Sequence, residues 1–177
     1  DGTALAEQVP LFADVLEWGR SAGAFFELDV KRTTKFADVV NAVNAARMTD
    51  RVLVVTYTLD DAKAVHKLDP RLMISVTMEK PEDLEAVRAT LPLDRVLGWT
   101  GTRDPRQGFF ATLRAAGIEP IFGTLGRPGV RLDDVYAADG NLSEYPDLVR
   151  AGVVMIASDA AVAAQRAIGS GYRACFQ

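Results

Sequence analysis

Six short apolar segments of strand length alternate with longer amphipathic segments along most of this 177-residue chain. The six segments read AFFELDV, RVLVVTYT, LMISVTM, RVLGWTGT, EPIFGTLG and VVMIASD. Their nearly continuous apolar character is typical of parallel strands that are buried on both faces. The alternation therefore predicts an α/β fold in which helices cover a parallel sheet.

The segments between the strands carry apolar residues at helical spacing, as in the stripe Phe36, Val39, Val40, Val43. Six strand-helix repeats fit an open doubly wound sheet. They also fit six strands of an eight-stranded TIM-type barrel, which typically needs about 250 residues. We predict one domain over residues 1–177, because no Pro-, Gly- or Ser-rich linker divides them. The longest connection, residues 123–143, is polar and glycine-rich, so it need not be regular.

Composition excludes several classes of function. A net charge of -4 does not match a general nucleic-acid binder, which usually has a basic excess. No apolar run is long enough to cross a bilayer. The single His66 excludes multi-histidine metal sites within this chain, and the single Cys175 excludes an internal disulfide. The sequence shows no signal peptide, but it begins at Asp1 and not at Met, so removal of such a segment stays open and the compartment is undecided.

Polar side chains gather where the predicted strands end, and in parallel α/β folds this edge carries the active site. In AFFELDVKRTT, strand alternation turns Glu27, Asp29 and Lys31 to one face, opposite the apolar residues. Carboxylates hold Mg²⁺ or Ca²⁺ and lysine offsets phosphate charge, so the set suits a metal-bound anionic substrate. The later strands end in hydroxyl, carboxylate and aromatic side chains: Thr56, Tyr57, Thr77, Glu79, Trp99, Thr100, Thr124, Ser158 and Asp159.

Purely structural roles remain open for several of these residues. Asp29 and Lys31 also fit an ion pair inside a barrel, and Glu27 also fits a buried partner of Lys31. Tyr57 and Trp99 fit packing positions as well as substrate contacts.

The loop GTLGRPG offers backbone N–H groups and Arg127 for a phosphate, as loops near the last strands of barrels do. Asp159 fits the N-cap of the last helix. His66 falls on a helix, where a packed or surface histidine is expected. A Schiff base on Lys31 is a further alternative.

In their order along the chain, these motifs resemble those of the glycerophosphodiester phosphodiesterase family. VPLFADVLEW resembles the family's I-P-T-L-E-E-V-L helix opening, ELDVK its N-I-E-I-K strand, and GVVMIASD its G-V-D-G-I-I-T-D strand. LVVTYT stands where the family has an I-S-S-F-like strand end, and IEPIFGTLG where W-T-V-N closes the seventh strand. VLGWTGT and IFGTLGRPG look like a bacterial branch whose relatives are often exported. This suggests the periplasm or the exterior, with the cytoplasm also open.

The resemblance implies a TIM barrel that hydrolyses glycerophosphodiesters to an alcohol and glycerol 3-phosphate with a divalent metal, Mg²⁺ or Ca²⁺. It assigns Asp29 to the metal, with Glu27 as a supporting carboxylate, and Lys31 to the phosphate and to catalysis. The substrate-binding residues expected with it are Lys31, Tyr57, Trp99, Phe122 and Arg127. Phe122 is included because it stands close to the family's strand-seven tryptophan.

The sequence also departs from the family. The family's H-R-G on the first strand, E-x-D on the second and the H-D that follows have no counterpart here, so the resemblance covers strands three to eight. The T-D-R-P ending is SDAA at residues 158–161. The absent histidines are the family's acid and base, and each such group contributes about 10² to 10⁴-fold. We therefore expect this chain alone to be nearly inactive, with a non-catalytic binding or structural module as the alternative.

An eight-stranded barrel that lacks two strands has two exposed sheet edges. We expect these edges to pair with a missing N-terminal segment or with another copy of the chain.

Overall fold

The computed structural model describes residues 8–169, so Cys175 lies outside the described part. Six strands form one sheet in the order β1 to β6, and every neighbouring pair is parallel. The strands are β1 (Phe26–Asp29), β2 (Val52–Thr56), β3 (Met73–Thr77), β4 (Val96–Trp99), β5 (Glu119–Gly123) and β6 (Met155–Ala157). The prediction of six parallel strands is confirmed.

Helices connect the strands and cover one face of the sheet. They are α1 (Phe12–Ala22), α2 (Phe36–Ala45), α3 (Leu59–Leu68), α4 (Pro81–Arg88), α5 (Gln107–Ala115), α6 (Leu132–Ala137), α7 (Glu144–Arg150) and α8 (Ala161–Ile168). Within residues 8–169, none of them combines the length and the apolar content that crossing a bilayer requires.

The sheet curls into part of a barrel. Phe26 of the first strand and Met155 of the last line the same cavity of about 340 Å³, at the amino-terminal ends of the strands. On the inner face, an apolar cluster of Leu53, Leu97 and Ile121 joins β2, β4 and β5. The prediction of an incomplete α/β barrel is confirmed in this form, while the numbering of the strands as third to eighth stays a prediction.

Strand alternation divides the side chains of β1 as the sequence predicted. Phe26 and Leu28 pack against the large core between the sheet and the helices. Glu27 and Asp29 point to the inner face of the curled sheet, where both are exposed. The face of β1 that carries Glu27 and Asp29 therefore lies on the interior side of the incomplete barrel.

The long connection between β5 and β6 is partly regular, because it contains the short helix α6 (Leu132–Ala137). Its Asp133 is only 2% exposed. The Asp133 carboxylate accepts hydrogen bonds from the Tyr145 hydroxyl at 2.7 Å, the Ser158 hydroxyl at 2.8 Å and the Asp159 N–H at 2.8 Å. These contacts tie α6 to α7 and to the end of β6, which gives the helix an anchor that its own short sequence lacks.

Candidate functional site

Asp29, Lys31 and Tyr57 meet at the carboxyl ends of β1 and β2. Asp29 ends β1 and pairs in register with Val55 of β2, and Tyr57 follows Val55 on the same face. The Tyr57 hydroxyl donates to Asp29 Oδ1 at 3.0 Å, and the Lys31 ammonium donates to Asp29 Oδ2. The structure thus brings three of the predicted site residues into one cluster, which we call the Asp29 cluster.

The charges of the Asp29 cluster stabilise one another. The hydrogen bond from Lys31, aided by that from Tyr57, lowers the pKa of Asp29. The same bond raises the pKa of Lys31, and the bond to Asp29 raises the pKa of Tyr57. A Schiff-base lysine needs its neutral amine, so a raised lysine pKa does not favour that alternative.

Glu27 lies one step deeper on the same strand face. Desolvation raises the pKa of Glu27, and the negative charge of Asp29 raises it further. Lys31 pairs with Asp29, and Glu27 is exposed. The alternative of Glu27 as a buried partner of Lys31 was therefore wrong.

The described residues supply part of a divalent-metal site. Asp29 and Glu27 place two carboxylates on one strand face, but in residues 8–169 no three His, Cys, Asp or Glu side chains converge in a group that could hold a metal ion. A hard cation takes about six oxygen ligands. A divalent ion at this position would need further ligands beside these two carboxylates.

A cavity of about 580 Å³ opens at the same edge, beside the ends of β3 and β4. Trp99 lines it and also packs on Gly123, where a Cβ would lie 2.7 Å from the indole ring. Arg106 donates to the backbone carbonyl of Glu79 and, at 3.1 Å, to that of Thr100, which ties the two loops together. The lining residues are Glu79, Trp99, Thr100, Gly101, Thr102, Arg103, Asp104 and Arg106.

Sequence reasoning missed Arg106. Arg106 belongs to no recognisable sequence motif. Its carbonyl partners, Glu79 and Thr100, come close to its side chain only when the two loops fold.

Three threonines from the predicted set bond to the neighbouring strand. The hydroxyls of Thr56 and Thr100 donate to the carbonyls of Ser75 and Ile121, both at 2.7 Å, and Thr124 reaches the carbonyl of Ala157 at 3.4 Å. All three threonines are buried. Their hydrogen bonds connect neighbouring strands at the carboxyl edge of the sheet, so these hydroxyls are not available to a ligand.

Phe122 lies away from the inner face. It is fully buried on the helix-facing side of β5, with its ring centroid 5.9 Å from that of Phe110. The prediction of Phe122 as a substrate contact is therefore corrected. Residues of opposite parity on β5, such as Ile121 and Gly123, face the interior of the barrel.

The GTLGRPG loop already uses two of its backbone amides. The Gly126 N–H donates to Asp159 Oδ2 at 3.2 Å, and the Gly129 N–H donates to Asp134 Oδ2 at 2.6 Å. The side chain of Arg127 is exposed. Carboxylates thus occupy two of the amides that the sequence offered to a phosphate.

Arg131 joins the loops after β5 and β6. It donates to Asp134 Oδ1 at 3.0 Å and to Asp159 Oδ2 at 2.9 Å. The prediction of Asp159 as an N-cap was wrong, because α8 begins at Ala161 and has no side-chain cap. Asp159 instead binds Arg131 and the Gly126 amide, and neither contact is visible from sequence spacing.

His66 lies on α3, away from the Asp29 cluster. Its neighbours on that helix, Ala62 and Val65, pack into the large core on the outer face of the sheet. The Nδ1 atom is buried and has no hydrogen-bond partner among the described residues. This agrees with the expected packing role on a helix.

No protein-family model matches the sequence, and no curated protein matches it. Among solved structures, the chain is similar to a glycerophosphoryl diester phosphodiesterase of Parabacteroides distasonis, with a TM-score of 0.75 and 18% identity over 90% of this chain. A candidate glycerophosphoryl diester phosphodiesterase of Silicibacter pomeroyi gives a TM-score of 0.65 and 16% identity over 89% of this chain. A candidate glycerophosphodiester phosphodiesterase of Galdieria sulphuraria gives a TM-score of 0.56 and 12% identity over 75% of this chain.

The chain spans about half the length of these structures: 55%, 55% and 51% of the respective chains. At such low identity the likeness shows the fold, which is that of part of the barrel these proteins share.

Proposed function

We propose that this chain is part of a metal-dependent phosphodiesterase that hydrolyses glycerophosphodiesters to an alcohol and glycerol 3-phosphate. The observation that carries the proposal is the position of the Asp29 cluster at the carboxyl edge of a parallel, curled sheet. In barrels of this kind that edge holds the active site. The phosphodiesterase activity named for the similar structures supports the same substrate class.

Each residue of the cluster has a role in this proposal. The Lys31 side chain is 77% exposed, so its ammonium can meet a phosphate without movement of the backbone. Asp29 and Glu27 would supply part of the ligand set of a Mg²⁺ or Ca²⁺ ion, which when bound would polarise the phosphoryl group. Tyr57 holds Asp29 in place, and Trp99 would contact the substrate from the neighbouring cavity.

General acid and base groups are expected from outside this chain. The one histidine of the sequence, His66, lies on α3 behind the sheet. Since each acid or base contributes about 10² to 10⁴-fold, the 177-residue chain alone should hydrolyse far more slowly than a protein that carries both.

The test measures glycerol 3-phosphate release from glycerophosphocholine with Mg²⁺ or Ca²⁺, using the product of the complete gene that encodes this sequence. We expect activity that EDTA abolishes. Asp29→Asn should reduce the activity at least about 100-fold, because the metal would lose a ligand. Asp60→Asn is the matched control, since Asp60 is an exposed aspartate on α3 that pairs with Lys63. Activity that survives both chelation and Asp29→Asn would contradict the proposal.

A non-catalytic binding module is the second candidate, favoured by the engagement of both Asp29 oxygens by Lys31 and Tyr57. Binding of glycerophosphocholine by the complete gene product, without hydrolysis in either metal, would favour this candidate.

A further inference from the structure

The cavity of about 580 Å³ at the ends of β3 and β4, which we call the Trp99 cavity, is charged but balanced. Its lining includes one aromatic ring and two charged groups of each sign: Trp99, Glu79, Asp104, Arg103 and Arg106. Within the described part of the chain, neither of its two carboxylates takes part in an ion pair. Because the charges cancel, the cavity has no net charge that would select a cation or an anion.

The backbone of Glu79 is held in place from both sides. Its N–H donates to Asp83 Oδ2 at 2.9 Å, and its carbonyl accepts a hydrogen bond from the Arg106 guanidinium. Glu79 Oε1 lies 3.3 Å from the place where a Cβ on Gly101 would be, and Gly101 has a φ of +95°. The carboxylate therefore rests over a glycine, in space that a side chain at position 101 would crowd. An acceptor positioned in advance loses less freedom when a ligand binds.

The indole of Trp99 is also fixed. A Cβ on Gly123 would lie 2.7 Å from its Cη2 atom, and the ring packs against the inner apolar cluster that includes Leu97 and Ile121. The side chain is half-buried, so part of it remains at the wall of the Trp99 cavity. Tryptophan suits a boundary of this kind, where one side is apolar and the other is wet. It offers apolar surface to the C–H groups of a ligand whose polar groups meet the charged side chains.

We propose that the Trp99 cavity binds the alcohol portion of the substrate and selects an uncharged polyol, such as inositol or glycerol. A hydroxyl both donates and accepts, so adjacent hydroxyls can bond to the Glu79 carboxylate and the Arg103 guanidinium at once. Such hydrogen bonds to charged groups are about twice as strong as neutral ones. A trimethylammonium group offers neither donor nor acceptor, and it would meet the positive charge of Arg103 beside the carboxylate.

The inference rests on the proposed function, which places the phosphate at Lys31. Lys31 follows β1, and β3 lies two strands away in the sheet. Neighbouring strands are about 4.8 Å apart, so the separation is about 10 Å. A diester whose phosphate meets the long side chain of Lys31 can therefore place its alcohol portion in the Trp99 cavity.

The test measures binding of free myo-inositol to the complete gene product by saturation-transfer NMR. Free inositol carries no phosphate, so the measurement is independent of catalysis. We expect saturable transfer to the ring protons, and Glu79→Gln should weaken binding about tenfold because a charged acceptor is lost. Glu82→Gln is the matched control, since Glu82 is an exposed glutamate in the first turn of α4, and it should bind like the wild type.

The aromatic wall is tested in the same way. Trp99→Leu should weaken inositol binding at least about tenfold, with circular dichroism to show that the variant is folded. Trp18→Leu is its control, because Trp18 lies on α1 and is 62% exposed. If Trp99→Leu does not fold, Glu79→Gln still decides the matter, since Glu79 is exposed and its side chain supports no part of the core.

Choline under the same conditions should bind at least about tenfold more weakly than inositol. Choline binding that equals or exceeds inositol binding overturns the inference. So does the lack of saturable inositol binding by the wild type, or unchanged binding by Glu79→Gln.

Hydrolysis of glycerophosphoinositol and glycerophosphocholine by the complete gene product tests the proposed function separately. Inositol binding without hydrolysis of either diester would leave the polyol site standing and remove the proposed function. Hydrolysis without inositol binding would keep the proposed function and overturn the polyol site.

Discussion

Replacement of Asp133 tests whether one buried carboxylate holds the last third of the fold together. Asp133 accepts hydrogen bonds from Tyr145, Ser158 and the Asp159 backbone N–H, all within 2.8 Å. In Asp133→Ala the three donors lose their acceptor. Each buried donor left without an acceptor costs about 1–3 kcal/mol, so Asp133→Ala should lose at least about 3 kcal/mol, which is a large part of the 5–15 kcal/mol that stabilises a typical domain.

Milder variants separate the contributions. Asp133→Asn keeps the shape of the side chain but replaces one acceptor oxygen with a donor, and we expect a loss of about 2 kcal/mol in the free energy of unfolding. Tyr145→Phe removes one hydrogen bond to a charged group and should cost about 1.5–3 kcal/mol. Urea unfolding followed by circular dichroism measures both losses. Asp94→Ala is the control, because its exposed carboxylate lies 3.8 Å from Arg95 and should change stability by less than about 0.5 kcal/mol.

The pH dependence gives a second check. Burial raises the pKa of Asp133, but the hydrogen bonds from Tyr145, Ser158 and the Asp159 N–H outweigh it and bring the pKa below the ordinary 3.8. A lowered pKa in the folded state contributes stability that is present above pH 3.8 and is lost as the pH falls through the folded-state value. The difference in stability between wild type and Asp133→Asn should therefore shrink as the pH falls from neutral toward 3. A difference that stays constant, or an Asp133→Ala variant within 0.5 kcal/mol of wild type, would refute this reasoning.

Two further variants examine the site and its support. Phe122→Ala should lower the free energy of unfolding by about 3–5 kcal/mol, because it opens a cavity beside Phe110, and Phe122→Leu should lower it less. If Phe122→Leu lost substrate affinity while its stability stayed unchanged, the core position of Phe122 would be contradicted. Tyr57→Phe should raise the pKa of Asp29 toward the ordinary 3.8, because one stabilising hydrogen bond is removed. An NMR titration of the Asp29 carboxyl carbon measures this pKa. An unchanged pKa would show that the hydrogen bond is absent in solution.

The sequence was informative where side chains of opposite character alternate. In β1, Glu27 and Asp29 alternate with Phe26 and Leu28, so the two faces could be told apart before the fold was known. In β5 the residues that follow Glu119, PIFG, are apolar on both faces, since one face meets helices and the other meets the barrel interior. Hydrophobicity alone could not place Phe122, because the two environments select the same residue types.

The contacts that sequence reasoning missed are long-range and polar. Arg131 meets Asp159 across 28 positions, and the Tyr57 hydroxyl meets Asp29 across the same number. No local periodicity encodes such pairs, because they depend on which loops the sheet brings side by side. The sequence did not predict helix α6, because six residues carry little helical signal. Its buried Asp133 is fixed by long-range partners from α7 and the end of β6.

The sequential order of the six strands has a consequence for how the chain acquires its structure. Each strand pairs only with the strands just before and after it, and the pairings are short in sequence: Leu53 meets Met73, 20 positions on, and Ile121 meets Met155, 34 positions on. Closing loops of this size costs little entropy, since the cost grows only with the logarithm of loop length. Each strand-helix unit can therefore dock on its predecessor as it leaves the ribosome, and the sheet can grow from β1 to β6 without waiting for a distant segment.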